Sequence, residues 1–299
     1  MAEHVKWGTN SKGFTTIEML VSSVIFSILV LGAGGTIAMY RLNYHNDVAK
    51  TRLNQNLRNA TAIVSSALTQ SGEYLPVTFP IIELTNGTSG SSDRITVRKG
   101  LLAEAPFLCK TLGTGAADRI YISSSAGGAP SGCVRANVTT SYNTWKSYRS
   151  AATGAQTKAY IYDSAAKVGE FFSYISEVDT GSEYYLVRTS GTWANTYNTS
   201  STSLYIIEEI KFQRTTDTLE LIINEDTSNP YYATFGITDL QVEIRKVDDT
   251  IVNSFSRSDQ WQKIKYVDFT INGLESGMKK TISKSLTTSI FPRNILGQS

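Results

Sequence analysis

"KGFTTIEMLVSSVIFSILVLG", residues 12–32, is apolar enough to enter a bilayer yet carries a carboxylate near its front. From Phe14 to Tyr40 the only formally charged side chain is Glu18. As an α-helix this stretch extends about 40 Å at 1.5 Å per residue, enough to cross a hydrocarbon core of about 30 Å with tilt. Lys6 and Lys12 precede the run and Arg41 follows it, so the flanking charge bias is weak. The short basic leader places the N-terminus on the cytoplasmic side.

A secretory signal has its cleavage point after the apolar stretch, and the stretch is discarded. Here the small residue, Gly13, lies before it. A cut between Gly13 and Phe14 leaves the helix on the mature chain with a new amino terminus, one helical turn from Glu18. An acid inside a membrane helix marks a functional partner by default. That partner is the chain's own new amine or the amine of a neighbouring, staggered helix. The alternative is an acid that snorkels at the helix end. Ser23, Ser27, Gly32, Gly34 and Gly35 allow close helix approach. Each glycine also lowers helix propensity by about 1 kcal/mol. Either the helix loosens there on leaving the bilayer, or it stays rigid and packs against partners.

Lys12-Gly13-Phe14-Thr15-Thr16-Ile17-Glu18-Met19-Leu20 resembles the processing signature of the type IV pilin and pseudopilin family. The resemblance implies that a prepilin peptidase cuts after Gly13, that Phe14 becomes N-methylated, and that Glu18 supports subunit packing. Near the other end, Gly236 to Val242, Trp261, the alternating run Ile264 to Ile271 and Phe291-Pro292-Arg293-Asn294 resemble the C-terminal course of PilW-type minor pilins. The J-type pseudopilins of type II secretion share that layout.

Beyond Tyr40, Leu42, Ala49, Leu53, Leu57, Ala60, Val64 and Ala67 form one helical stripe, which stops near Ser71-Gly72 with Pro76 shortly after. A helix over about 14–71 is near 85 Å long, hard to house in a compact domain. After Pro76 the chain reads as short strands: Val77 to Leu84, Arg94 to Arg98, Arg119 to Ile122, Ala159 to Tyr162, Glu183 to Arg188, Leu204 to Phe212, Leu219 to Ile223, Leu240 to Arg245, Ile264 to Ile271 and Thr281 to Ile290. The expected fold class is therefore α+β and pilin-like, a long N-terminal helical spine packed on a large antiparallel β-rich head. Its parts are a leader over 1–13, a membrane and assembly half-helix over 14–40, an amphipathic half over 41–75, and a head over 76–299.

The chain has 299 residues, 41% hydrophobic and 18% charged, with a net charge of +2. Without the leader (Lys6 and Lys12 against Glu3) the balance falls to +1, far from a protein that grips nucleic acid mainly through phosphates. Two cysteines, Cys109 and Cys133, form one disulfide if the head is exported, or remain two unrelated thiols. The mature chain keeps one histidine, His45, on the helix, so the head has no imidazole for a Ser-His-Asp or Cys-His arrangement and no His/Cys metal cluster. No enzyme activity, metal or cofactor is expected. Trp145, Lys146, Tyr148 and Arg149 form a basic-aromatic cluster that could stack bases, or else an ordinary strand-and-loop edge.

The resulting expectation is a minor type IV pilin, a structural subunit that primes or caps a pilus. Adhesion, motility and DNA uptake are the roles open to such a filament. The alternatives are a J-like pseudopilin and a membrane-tethered adhesin or DNA-binding subunit. The expected partners are the prepilin peptidase, other minor and major pilins, the inner membrane, and DNA or a surface ligand rather than a small-molecule substrate. The expected location is the inner membrane, head outside the cytoplasm, and then the pilus.

Overall fold

The computed structural model describes residues 13, 15–115, 118–127, 129–151 and 157–294. They form one long N-terminal helix, α1 (Thr16–Gln70), and a large antiparallel β head. Two compact units are defined: the chain up to Arg52 with Glu275–Ile282, and Leu53–Leu274 with the chain from Ser283 on. In the first unit the turn at Gly277 lies so close to α1 that an added Cβ would stand 2.4 Å from Asn46 Oδ1. In the second, Leu53, Leu57, Ala60, Val64 and Leu68 are the buried stripe of α1. Leu68 rather than Ala67 ends the stripe. Gly273 makes room for it, since a Cβ there would meet Leu53 Cδ1 at 2.7 Å. The helix stops because Gly72 turns left-handed at φ +80 and donates its N–H to the Arg98 carbonyl at 2.9 Å.

The head contains three sheets. The first runs β1 (Ile82–Thr85), β2 (Arg94–Gly100), β8 (Ile207–Thr215), β9 (Thr218–Ile223), β10 (Tyr231–Phe235). The second runs β12 (Ile251–Val252), β11 (Ile237–Lys246), β13 (Ile264–Ser276), β14 (Thr281–Ile290). The third runs β3 (Arg119–Tyr121), β6 (Tyr184–Arg188), β5 (Val168–Asp179), β4 (Thr157–Asp163), β7 (Thr202–Tyr205). In β11 and β13 alternate residues are buried, Leu240, Val242 and Ile244 opposite Ile271, Phe269 and Val267, which fixes their register.

The strand order exposes an insertion. β2 and β8 are hydrogen-bonded neighbours, with Gly100 opposite Ile207, so the 101–206 segment leaves and returns at one point. Its ends are tied together where Leu101 N–H donates to the Ile206 carbonyl at 2.8 Å. Between them the chain builds the third sheet, the helix α2 (Arg135–Ala151), and a core of its own centred on Trp145, Tyr174, Leu186 and Trp193. Close-set ends are the geometry that lets a host fold accept an inserted domain. Cys109 and Cys133 are joined by a disulfide within this insertion, closing a separation of 24 residues. A crosslink of that length contributes about 3 kcal/mol by loop entropy.

Several expected elements are corrected. Residues 135–151 form α2 rather than a strand-and-loop edge, because Val138, Tyr142 and Trp145 recur at helical spacing and are buried on one face. The expected strand Val77 to Leu84 begins only at Ile82, since Pro76 and Pro80 have no N–H for a ladder. Leu204 to Phe212 is two strands, broken at Ile206 where the chain crosses from the third sheet to the first. The 12-residue β5, and β10, went unforeseen.

Where the insertion meets the first sheet, Arg98 is buried in the centre of a charged cluster. Its Nε donates to Glu209 Oε2 at 2.6 Å and its Nη1 to the Pro80 carbonyl at 2.7 Å. The same Nη1 lies 2.6 Å from Glu83 Oε1, which also accepts from Arg257 Nε at 2.7 Å. Arg257 in turn donates to the Gly169 carbonyl of β5 at 3.2 Å.

Candidate assembly site

At the helix start the chain closes a reciprocal pair. Thr15 donates both its backbone N–H and its Oγ1 to Glu18 Oε2, each at 2.9 Å, and Glu18 N–H donates to Thr15 Oγ1 at 3.4 Å. This is a capping box, with Thr15 as N-cap and Glu18 three residues in. It satisfies amides that a helix start leaves unpaired. The Thr-x-x-Glu spacing of the sequence is the local signal for this cap. Glu18 is thus held at the positive pole of α1. Gly13 is among the described residues, and an added Cβ there meets nothing within 4 Å. Phe14 lies outside the described residues.

Between Glu18 and Tyr40, α1 presents apolar side chains on all sides, with Leu20, Phe26, Leu29, Leu31 and Tyr40 all exposed. Its hydroxyls bond back to the helix: Ser23 to the Leu20 carbonyl, Ser27 to that of Ser23, and Thr36 to that of Ala33. Back-bonding of this kind lowers the cost of carrying these hydroxyls into lipid. α1 is long and apolar enough to cross a membrane. It stays α-helical through Gly32, Gly34 and Gly35, around which nothing stands within 4 Å of an added Cβ. A helix apolar all round must be covered by lipid or by other helices.

Residues 8–34 match the family model described as the prokaryotic N-terminal methylation motif. That motif, with the apolar helix and the α+β architecture, is similar to what type IV prepilins and pseudopilins carry and supports a protein of that type. It implies processing by a prepilin peptidase, anchoring in the inner membrane and assembly with other pilins. No curated protein and no solved structure matches the chain.

The candidate nucleic-acid cluster is not assembled as a stacking face. Trp145 is 0% exposed and its Nε1–H donates to the Glu104 carbonyl at 2.9 Å. Arg149 is held by the buried carboxylate of Glu177, its Nε at 2.9 Å and its Nη2 at 2.8 Å, and that hydrogen-bonded pairing raises its pKa. Tyr148 is half-buried, and of these four residues only Lys146 is exposed. Helical spacing, rather than ligand chemistry, accounts for the run. Trp145→Phe, which keeps a ring but loses the donor, is expected to destabilise the chain by about 1–2 kcal/mol. Lys146→Ala should stay within about 0.5 kcal/mol, and denaturant melts of the two variants compare them.

Proposed function

We propose that the chain is a minor type IV pilin, cleaved between Gly13 and Phe14, N-methylated at Phe14, and docked into a filament through Glu18. The observation that carries this reading is the leader and helix start read together: the methylation motif over 8–34, the preorganised Glu18, and an apolar helix surface with no cover of its own. Cleavage creates the cation that Glu18 meets on an adjacent subunit, so docking waits on processing. The disulfide supports a head outside the cytoplasm, since such bonds persist in oxidising compartments. The minor role rests on the large inserted domain at 101–206, a bulk suited to a few specialised positions at a filament tip. Mass spectrometry of the mature N-terminus tests the proposal. A terminal peptide beginning at methylated Phe14 is expected, and a native product that retains residues 1–13 overturns it.

A further inference from the structure

The structure assigns a second site, unrelated to assembly, to an open cleft of about 630 Å³ between the α1–β1 connection and the inserted domain. We propose that it binds a neutral saccharide. Two solvent-facing rings rim the cleft, Tyr74 at 56% and Phe107 at 50% exposure. Each is held in place by a glycine. Tyr74 has a left-handed backbone, φ +54, in a turn that packs on Gly100: a Cβ there would stand 2.9 Å from Tyr74 Cβ, and Gly100 N–H donates to the Glu73 carbonyl at 2.7 Å. The Phe107 ring lies flat on the backbone of Gly132, where a Cβ would come within 2.7 Å of its Cδ2. Gly132 precedes Cys133, whose disulfide returns the chain to Cys109 beside Phe107. A left-handed backbone at a bulky non-glycine residue is strained, a local cost of the kind that gathers at functional sites.

The rest of the lining defines the chemistry. Tyr205, Ser164, Ser200 and Ser203 line the cleft, the Ser164 hydroxyl donating to the Ser201 carbonyl at 3.0 Å, and none of the described residues lining it carries a charge. A phosphate, carboxylate or polyanion would find no cation there. A purely apolar ligand would strip water from the serines without replacing their hydrogen bonds. A sugar ring offers what the walls lack: C–H faces to lie on Tyr74 and Phe107, and hydroxyl edges to donate to the serine oxygens, including that of Ser164, whose own proton is already given to the Ser201 carbonyl. Mostly apolar walls with a few convergent polar groups are the ordinary make-up of a small-ligand site.

The test uses the full chain in lipid nanodiscs free of glycoside detergent, applied to an array of neutral, sialylated and sulfated glycans alongside uncharged peptides. Retained glycans are then titrated by calorimetry. Saturable binding to a neutral glycan is expected, unchanged between about 50 and 500 mM salt because no charge pairing is involved. Tyr74→Asn keeps a residue that tolerates the left-handed turn but removes the ring, and Phe107→Ala removes the other. Each should weaken binding about tenfold with the melting temperature unchanged, while Lys146→Ala has no effect. Retention of only acidic glycans, retention of only peptides, no retention at all, or affinity indifferent to both ring variants overturns the proposal. Leader processing is read separately, so either result leaves the pilin reading to its own test.

Discussion

Glu18→Gln should empty the filament of this subunit while leaving its helix start and leader processing intact. Glu18 caps the first turn through Thr15, and in the proposed docking the same side chain offers its charge to a partner's amine. Glutamine serves as well as glutamate at this capping-box position, so its amide oxygen keeps the bonds from Thr15. What it lacks is the anion. Within packed apolar helices an ammonium group left without its counterion is expensive, because nothing there solvates it. Incorporation into sheared filaments should therefore fall more than about tenfold for Glu18→Gln, as for Glu18→Ala. Thr15→Ala is the control, since it removes the cap and spares the charge; a frayed first turn should reduce incorporation far less. Immunoblots of filament and membrane fractions, with mass spectrometry of the mature terminus, read all three. If Thr15→Ala matches Glu18→Gln, the carboxylate acts as a cap and the docking role is lost.

The contrast between the two halves of the chain shows what a pattern of residues can and cannot disclose. The helix was legible to its last turn, because an apolar run, a period near 3.6 and the Ser71-Gly72 stop are all local. Most single strands were legible for the same reason, with alternation in β11 and β13 marking the buried face. The insertion was not. Nothing near Gly100 or Ile207 announces that these two residues face each other across 106 intervening positions, because pairing is decided by long-range register. α2 was missed for a different reason. Its low apolar content and its Thr, Ser and Asn residues argue against a helix locally, and only the burial of Val138, Tyr142 and Trp145 against the third sheet favours one. At the assembly site the residues were evident and their hydrogen bonds were not. The binding cleft left no sequence signal, since Tyr74 and Phe107 are brought to one rim only by the fold.

Arg98→Met should destabilise the head by about 3–5 kcal/mol, because it strands acids that the fold has taken out of water. Arg98 and Glu209 have side chains only 1% and 2% exposed, so neither recovers hydration when the other is lost. Glu83, less buried, retains Arg257. The asymmetry matters: a buried ion pair adds little over a well-packed apolar pair, yet half of one is costly. Arg98→Met with Glu209→Leu should therefore recover most of the loss, and the two substitutions should be strongly non-additive in denaturant unfolding. Acidity supplies an independent check. In the intact cluster burial pushes the Glu83 carboxyl up, but Arg98 and Arg257 outweigh it and hold its pKa below the ordinary value. Its contribution is present above the unfolded pKa and is lost as pH falls through the lower folded one, so the intact chain weakens in acid. A single variant within about 1 kcal/mol of the parent, or a double variant no better than the single, would show that water reaches the cluster and that its charges do not hold the insertion to the first sheet.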